Sequence, residues 1–374
     1  MEGQTFTATT LTGLEEVLVE ELKALGAEDI VPMNRAVQFT GTTALMYRAN
    51  LALRTALRIL KPVHMFHARS DNAFYRQIRE IDWREYMTLS DTLAVDSVVN
   101  SKYFTHSQYV ALRVKDAVVD QFRKHTGERP SVDVKNPSLQ LNIYINNDEC
   151  VLSLDSSGDS LHRRGYRLQA GEAPLNEALA AGMILLSGWD GRTSLTDPMC
   201  GSGTILIEAA LIARNIAPGL LREEFGFLRW PDYDPDLWEA VQTEARNSTV
   251  DCEAPILGSD ADVEALNMTR QNVVRAGVED DIKLSLTSFE KRMPSTKRGI
   301  LIMNPPYGER MQTADIVEFY QRIGDTLKQK YPGHTAWILS GNKEAIKHVG
   351  LRTSERYTLY NGPIECKYHK YEIY

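Results

Sequence analysis

The stretch Ser194-Leu-Thr-Asp-Pro-Met-Cys-Gly-Ser-Gly-Thr204, followed by Ile-Leu-Ile-Glu-Ala-Ala-Leu-Ile, decides the fold. Its first four residues predict a short strand, and the apolar run after Thr204 predicts a helix. Gly201 and Gly203 lie between them, where glycine lets the backbone approach a ligand closely. The start of the helix offers free N–H groups to that ligand. The stretch lacks the third glycine of a dinucleotide site and the Gly-Lys-Ser/Thr of a phosphate loop.

A second apolar run, Ile256-Leu-Gly-Ser, also ends in acid, at Asp260-Ala-Asp262. A carboxylate at the end of such a strand can accept hydrogen bonds from both hydroxyls of a ribose. A glycine turn followed by an acid-ended strand therefore predicts a pocket for S-adenosylmethionine. The cofactor contacts expected from these two stretches are Asp197, Pro198, Cys200, Gly201, Gly203, Thr204, Asp260 and Ala261. We interpret Cys200 as a small packing residue rather than a nucleophile.

The tetrapeptide Asn304-Pro-Pro-Tyr307 follows a third apolar run, Gly299 to Met303. An exocyclic amine conjugated with a base ring is a poor nucleophile. The side-chain oxygen of Asn304 and the carbonyl of Pro305 can accept hydrogen bonds from it and draw its lone pair toward an electrophile. Pro305 and Pro306 fix the turn, and Tyr307 offers a flat face for an extruded base. Taken alone this is an ordinary Pro-rich turn; beside the glycine turn it predicts methylation of an amine.

Three segments resemble those of the THUMP-containing class I RNA methyltransferases: Asp197–Thr204, Asn304–Arg310 and Leu161-His-Arg-Arg-Gly-Tyr-Arg167. The resemblance is closest to bacterial 23S ribosomal RNA guanine-N2 methyltransferases, which are often labelled N6-adenine DNA methylases. Matches at Ala173–Glu177, Phe225–Asp232 and Val132–Pro137 extend it over nearly the whole chain in a consistent order. It implies an α/β Rossmann-like class I methyltransferase domain with a seven-stranded mixed sheet. An α+β ferredoxin-like region and a THUMP region are expected to precede that domain.

The resemblance also implies further cofactor contacts. The family places the segment ending in Arg167 over the cofactor, which favours Tyr166 as a wall beside the methionine moiety. The same segment can be a linker whose arginines bind phosphate. After the third strand, where the family often has an acid, this chain has a serine that can still hydrogen-bond to adenine, followed by a phenylalanine that can pack on the ring. The added cofactor contacts are Tyr166, Pro174, Asn176, Ser288, Phe289 and Asn304.

Together with the predicted elements, the resemblance implies a ferredoxin-like part (residues 1–60), a THUMP part (61–160) and a methyltransferase part (161–374). Helices are predicted at Gly13–Leu25, Ala44–Leu60 and Thr105–His125. A strand is predicted at Thr92–Val99, a hairpin at Leu139–Leu154 and a terminal hairpin from Tyr357 to Tyr374. The polar stretch Asp155–Ser160 marks a break between two parts.

The net charge of −8 is not typical of a nucleic-acid-binding protein, but the charge is unevenly distributed. Residues 47–170 carry a net charge of +4, whereas residues 1–46 and 171–374 carry −5 and −7. Solvated helix faces can account for an excess of this size, so it supports RNA binding without establishing it. The residues expected to contact RNA are Arg113, Lys115, Arg123, Lys124, Lys135, Arg163 and Arg164.

The sequence therefore predicts an S-adenosylmethionine-dependent methyltransferase acting on the N2 amine of a guanine in 23S ribosomal RNA. Methylation of tRNA guanine-N2, DNA adenine-N6 methylation and a non-catalytic RNA-binding assembly protein remain alternatives. The four cysteines are scattered and the eight histidines lack ligand spacing, so no metal is expected. No apolar run is long enough to cross a membrane and the first residues do not form a signal peptide. We expect a cytoplasmic monomer whose partner is structured RNA.

Overall fold

The computed structural model describes residues 3–167, 175–306 and 313–374, and the predicted site residues Pro174 and Tyr307 lie outside these ranges. Two β-sheets and the helices packed on them form this part of the chain. The first sheet contains β1 (Gln4–Thr10), β2 (Glu28–Met33), β3 (Ala36–Gly41), β4 (Ala56–His67), β5 (Thr92–Asn100), β6 (Ser131–Val132), β7 (Leu139–Asn146) and β8 (Glu149–Asp155). The second contains β9 (Ser194–Asp197), β10 (Ile256–Asp260), β11 (Ile282–Leu286), β12 (Gly299–Met303), β13 (Thr335–Ser340), β14 (Thr353–Asn361) and β15 (Ile364–Glu372).

The α-helices alternate with these strands and cover the sheets. They are α1 (Glu15–Ala24), α2 (Thr43–Ala52), α3 (Asp71–Glu80), α4 (Ser107–Thr126), α5 (Glu177–Leu186), α6 (Thr204–Ala213), α7 (Pro235–Asn247), α8 (Val263–Ala276) and α9 (Thr313–Lys330). Short 3-10 turns lie at Trp83–Glu85, Pro218–Leu221, Gly226–Arg229 and Ala345–Val349. Within the described ranges, no helix combines the length and the apolar character needed to cross a membrane.

Strand β4 joins the two predicted N-terminal parts into one sheet of order β2-β3-β1-β4-β8-β7-β5-β6. Its first half pairs antiparallel with β1, with Ala8 opposite Ile59. Its second half pairs antiparallel with β8, with Phe66 opposite Cys150. The predicted hairpin of β7 and β8 is confirmed. The ferredoxin-like and THUMP parts therefore share a continuous sheet, while their exact limits stay a prediction.

The predicted helix Ala44–Leu60 is wrong in its second half. Helix α2 ends at Ala52, and β4 begins at Ala56. The apolar residues of this stretch have helical spacing, but the backbone N–H groups of Arg54 and Thr55 donate to the buried carboxylate of Glu21 at 2.7 and 3.1 Å. This contact with α1 turns the chain into the sheet, and such a tertiary interaction overrides local propensity.

The second sheet has the order β11-β10-β9-β12-β13-β15-β14. Its first five strands are parallel, and β15 is antiparallel to both β13 and β14, as the predicted terminal hairpin required. The predicted seven-stranded mixed sheet is thus confirmed. The strand order reverses at β9, which has β10 on one side and β12 on the other. In open α/β sheets, ligands bind outside the carboxyl ends of the strands at such a reversal.

The hydrophobic core of each sheet includes residues from the part of the chain that forms the other sheet. The rings of Phe227 and Tyr47 stack with centroids 4.4 Å apart, and Trp238 packs edge-on against both. These residues belong to the core of the first sheet, although Phe227 and Trp238 follow α6 in sequence. Conversely, Leu14 lies in the core of the second sheet, and a methyl group on Gly182 would come within 2.6 Å of it. The two cores are therefore interlocked rather than joined by a simple linker.

We expect Phe227→Ala to lower the free energy of unfolding by about 3–5 kcal/mol, because it removes a fully buried ring from an aromatic cluster. The exposed Glu239→Ala variant on α7 provides the control and should change it by less than about 0.5 kcal/mol. Urea unfolding followed by circular dichroism measures both. A loss below about 1 kcal/mol for Phe227→Ala would show that this segment is not part of the first core.

Candidate functional site

The predicted site residues of three adjacent strands meet at one edge of the second sheet. In the parallel pairs, Asp197 at the end of β9 lies opposite Gly258 of β10, and Thr196 lies opposite Leu301 of β12. The carboxyl ends of these strands therefore place the glycine turn in the centre. Asp260 lies on one side of it and Asn304 on the other, at the point where the strand order reverses.

The glycine turn is held from behind by β10 and α8. The N–H of Cys200 donates to the carbonyl of Ser259 at 3.0 Å, and the Thr269 hydroxyl donates to the carbonyl of Gly201 at 2.6 Å. Gly203 has φ of 83°, and a methyl group there would come within 2.7 Å of Thr269. Gly201 has φ of 53°, and no atom lies within 4 Å of the position of an added methyl group. The turn is thus packed on one side and open for a ligand on the other.

The carboxylate of Asp260 is fixed by two backbone N–H groups. Gly201 donates to Oδ2 at 2.9 Å and Asp262 donates to Oδ1 at 3.0 Å. Asp260 is half-buried, and Ala261 after it is exposed. Each carboxylate oxygen can accept a second hydrogen bond, so the group remains able to bind a pair of hydroxyls. This geometry fits the predicted ribose contact.

Asp197 is 2% exposed and is the most strongly perturbed carboxyl group at this edge. Burial raises its pKa to about 8, and the charge of Asp260 acts in the same direction. The N–H of Met199, which donates to Oδ1 at 3.1 Å, and the nearby Arg292 favour the charged form. Pro198 accepts a hydrogen bond from the Ser259 hydroxyl at 3.4 Å. The side chain of Asp197 therefore lies beneath the turn, where it orders the backbone.

Asn304 directly follows β12, and its Oδ1 atom is buried. No donor among the described residues reaches this atom. Leaving a buried acceptor unpaired costs about 1–3 kcal/mol, so the site fits a ligand that brings an N–H donor. Pro305 is buried and Pro306 is exposed. The role predicted for Tyr307 lies outside the described residues.

The segment after β11 is attached to this edge through the N–H of Thr287, which donates to the carbonyl of Asp260 at 2.9 Å. Ser288 is half-buried. Phe289 is 2% exposed, and its ring lies 5.5 Å from that of Tyr331 in the cluster below β12. The ring packs on protein in this structure, and its stacking on adenine stays a prediction.

The segment before α5 differs in part from the predicted arrangement. Tyr166 is 1% exposed and donates to Oε1 of Glu208 at 3.2 Å, and burial raises its pKa. Asn176 caps α5 by accepting from the N–H of Leu179 at 3.2 Å. Sequence reasoning missed Arg167, which donates to the Thr204 hydroxyl at 2.8 Å. Its position within the quoted Leu161–Arg167 motif was the signal that could have identified it.

Arg292 was also missed by sequence reasoning. It donates to the hydroxyl of Ser285 at 2.8 Å, and burial lowers the pKa of its guanidinium. Its charge acts on Asp197, two strands away in the sheet. No local motif marks this residue, because the contact arises only from the sheet order.

The RNA contact predicted for Arg164 is wrong. This residue is 1% exposed, and its Nη1 donates to the carbonyl of Leu161 at 2.6 Å. Nη2 donates to the carbonyl of Arg54, and Nε lies 3.5 Å from Oε1 of Glu208. The guanidinium is enclosed by these partners, so a phosphate cannot reach it. The Arg-rich motif Leu161–Arg167 gives no sign of which arginine turns inward.

The other predicted RNA residues lie at the surface, and they differ in whether an acidic side chain holds them in place. Arg113 donates to both carboxylate oxygens of Asp71 at 2.8 and 2.7 Å. Lys115 lies 2.6 Å from the Asp116 carboxylate. Arg123 and Lys124 are exposed in the last turn of α4. Free positive charge is therefore concentrated at the C-terminal end of that helix.

A cavity of about 920 Å³ lies between the first sheet and the segments that follow β8 and α6. Three predicted RNA residues line it, namely Lys115, Lys135 and Arg163. Lys135 is exposed, and Arg163 lies 3.3 Å from Asp159. None of the described residues predicted to bind the cofactor lines this cavity. The structure thus separates a basic cleft from the carboxyl edge of the second sheet.

Among residues 3–167, 175–306 and 313–374, no group of three or more His, Cys, Asp or Glu side chains is placed to hold a metal ion.

The strand order, the glycine turn and the acid-ended strand define the class of the Rossmann-like methyltransferases. A family model described as "RMKL-like, methyltransferase domain" matches residues 164–370. The THUMP domain model matches residues 68–155, and the RlmL ferredoxin-like domain model matches residues 5–60. The chain belongs to this RMKL-like methyltransferase family, and S-adenosylmethionine is its cofactor.

Individual relatives agree with this assignment. The protein slr0064 of Synechocystis sp., named provisionally as an RNA methyltransferase, is 42% identical over 369 residues, 98% of this chain and 96% of its own length. Ribosomal RNA large subunit methyltransferase K/L of Methylococcus capsulatus is 42% identical over 376 residues. The match spans 98% of this chain and 51% of that protein, so the chain covers about half the length of the K/L relatives.

A solved structure shows the same fold over the whole chain. The crystal structure of SMU.472, named provisionally as a methyltransferase and complexed with SAH, is 30% identical with a TM-score of 0.88. The match covers 100% of this chain and 99% of SMU.472. SAH is the form of the cofactor that remains after the methyl group has left.

The raised pKa of Asp197 predicts a pH-dependent stability. Its pKa is about 8 in the folded protein and ordinarily 3.8, so the folded state binds more protons between these values. The stabilisation by the neutral carboxyl is complete below the ordinary pKa and is lost as the pH rises through about 8. Asp197→Asn should therefore make the free energy of unfolding fall less between about pH 5 and about pH 8.

Urea unfolding at a series of pH values measures this difference, with the exposed Asp236→Asn variant on α7 as control. An Asp197→Asn protein whose stability follows the wild-type pH profile would show that Asp197 is already charged in the folded state.

Proposed function

We propose that this chain transfers a methyl group from S-adenosylmethionine to the exocyclic N2 amine of a guanine in 23S ribosomal RNA. The observation that carries the proposal is the buried Oδ1 of Asn304, which has no hydrogen-bond partner among the described residues. It lies at the end of β12, on the strand next to the one that carries the glycine turn. A cofactor pocket and an acceptor awaiting an N–H donor thus occupy adjacent strand ends.

The cofactor is proposed to lie across the ends of β9 and β10. Its methionine end would rest over Asp197 to Thr204, where Gly201 leaves open space. Its ribose would bind the carboxylate of Asp260, which two backbone N–H groups hold in place. Bound in this way, S-adenosylmethionine supplies an electrophilic methyl group on a positively charged sulfur. The residues of this chain would fix its position relative to Asn304.

Asn304 and Pro305 are proposed to orient the target amine. Oδ1 of Asn304 and the carbonyl of Pro305 would accept its two hydrogens, so that the nitrogen lone pair points at the methyl group. The N–C bond forms as the C–S bond breaks, and the bonding electron pair stays on sulfur. The proton released from the methylated amine can pass to water, so no strong general base is required. Preorganised acceptors of this kind stabilise the charge that develops on the amine.

RNA as the substrate is supported by the THUMP match and by the names of the K/L relatives, which act on ribosomal RNA of the large subunit. The exposed Arg123 and Lys124 and the basic cleft lie on the THUMP side of the molecule. Structured RNA is recognised mainly through its phosphates and shape, which suits such a surface. The target guanine would be flipped out of its stack into the pocket at Asn304, at a cost of a few kcal/mol.

Methylation of three nucleic acids by the full chain tests the substrate. Protein-free 23S ribosomal RNA, total tRNA and duplex DNA are each incubated with labelled S-adenosylmethionine, and the product nucleoside is identified by mass spectrometry. We expect N2-methylguanine in the ribosomal RNA. If N2-methylguanine forms only in tRNA, then tRNA replaces 23S ribosomal RNA as the substrate. If N6-methyladenine forms in DNA, the proposal is overturned.

Asn304→Ala should lower turnover on the RNA substrate by about 10²-fold or more, as loss of one preorganised hydrogen-bonding group does at other catalytic sites. Cofactor affinity should change little, because Asn304 acts on the amine. Single-turnover rates and calorimetric cofactor titrations measure the two effects. The exposed Asn247→Ala variant on α7 is the control. Near-normal turnover of Asn304→Ala would assign the tetrapeptide a structural role.

Charge reversal of both Arg123 and Lys124 to Glu should weaken RNA binding and reduce the slope of log K against log salt by about 1–2, because each phosphate contact contributes about 0.7–0.9. Cofactor affinity should stay unchanged. The matched control reverses Lys297 and Arg298, an exposed adjacent pair just before β12 of the other sheet. Equal effects of the two double variants would indicate a nonspecific change in net charge.

A further inference from the structure

Arg167 connects three segments at the start of α6. Its Nη2 donates to the Thr204 hydroxyl at 2.8 Å and to the carbonyl of Leu175 at 2.9 Å. The same nitrogen lies 3.4 Å from Oε1 of Glu177, the first residue of α5. The side chain is 14% exposed, so the guanidinium is held in place but is not fully enclosed. These contacts orient it without using all of its donors.

Arg167 has unused hydrogen-bond donors, which distinguishes it from its neighbours in the Leu161–Arg167 motif. Tyr166 and Arg164 both face Glu208 and are enclosed. By contrast, Nε of Arg167 is buried and, among the described residues, has no hydrogen-bond partner. A guanidinium carries five N–H donors and matches a carboxylate in a bidentate geometry. Arg167 therefore lacks an acceptor that a ligand can supply.

Helix α6, beside Arg167, also has hydrogen-bond donors that lack an acceptor. The residue before α6 is Gly203 in the left-handed conformation, and no side chain in the described part of the chain caps the helix N-terminus. The first N–H groups of a helix are unpaired within it and carry partial positive charge. Thr204 accepts from Arg167, and its hydroxyl hydrogen can be donated to the Ser202 hydroxyl at 3.4 Å or to a ligand. A cation, a hydroxyl and a free helix end are thus directed at one small region.

We infer that Arg167 binds the α-carboxylate at the methionine end of S-adenosylmethionine. That group is the anionic part of the cofactor, and a carboxylate satisfies a guanidinium and helix N–H groups together. The inference rests on the placement of the methionine end over Asp197 to Thr204 proposed above. It transfers to Arg167 the role that the sequence suggested for Tyr166, whose hydroxyl faces Glu208. Glu177 lies 3.4 Å from Nη2, the nitrogen that also donates to Thr204, and helps to hold the guanidinium in position.

Three ligands separate this role from general support of the pocket. S-adenosylmethionine carries the carboxylate, decarboxylated S-adenosylmethionine lacks only that group, and 5′-methylthioadenosine lacks the whole amino-acid end. Calorimetric titrations of the full chain need no RNA, so they do not depend on which base is methylated. Arg167→Gln should weaken S-adenosylmethionine binding about 10- to 100-fold, as loss of hydrogen bonds to a charged group does. Binding of the other two ligands should stay within about twofold, a change well below that produced by one lost hydrogen bond.

Two further variants make the result decisive. Arg214→Gln is the control, because it removes the ion pair with Asp281 at the far end of the same helix and should leave all three affinities unchanged. Asp260→Ala should weaken all three ligands, since each contains the ribose. If it weakens none, the cofactor placement is wrong. If it weakens all three and Arg167→Gln weakens none, only the role of Arg167 is wrong.

Circular dichroism and thermal unfolding establish that each variant is folded. If folded Arg167→Gln loses affinity for S-adenosylmethionine and for its decarboxylated form equally, the inference is overturned and Arg167 has only a structural role. If the glutamine variant does not fold, Arg167→Lys keeps the charge but not the bidentate geometry. The lysine variant must then show the same selective loss of affinity for S-adenosylmethionine. If it does not, the inference is overturned.

Discussion

The hydrogen bond from the N–H of Gly201 to the carboxylate of Asp260 is the contact on which the site depends. It joins the turn after β9 to the end of β10, so the two parts of the pocket are fixed relative to each other. The same carboxylate accepts from Asp262, which starts α8, and α8 in turn carries Thr269 against the turn. A charged acceptor bound to backbone donors is a strong hydrogen bond. The pocket is therefore preorganised by backbone contacts before a ligand enters.

The second constraint is the shared packing of the two sheets. The aromatic cluster of Tyr47, Phe227 and Trp238 covers the first sheet with residues that follow α6. Strand β4 extends this sheet without interruption from the ferredoxin-like part into the THUMP part. An RNA-docking surface built on the first sheet would consequently keep a defined distance to the edge of the second. Such rigidity suits an enzyme that must reach one nucleotide within a large folded RNA, because orientation lowers the barrier to reaction.

Local sequence patterns predicted those features that neighbouring residues determine. The glycine turn, the acid-ended strand and the terminal hairpin depend on alternation, turn residues and short spacing, and all three are present. The prediction was wrong where a distant partner decides the outcome. Glu21 redirects the chain after Ala52, and Glu208 draws Arg164 inward. The packing of Phe225–Trp230 on the first sheet was likewise invisible, because the match of that stretch to a family says nothing about its partner.

Unpaired polar atoms give the site its chemical character, but only in combination with their position. Buried atoms without a partner also occur elsewhere in the described part of the chain, for example Nε1 of Trp230 and of Trp337. Those indoles lie against a lysine and a stacked tyrosine. Oδ1 of Asn304 and Nε of Arg167 instead flank the glycine turn from two sides. An acceptor on one side and a cationic donor on the other match a bound amine and a bound carboxylate. In the proposed complex, the two ligand groups would offset the unfavourable free energy of leaving these atoms unpaired.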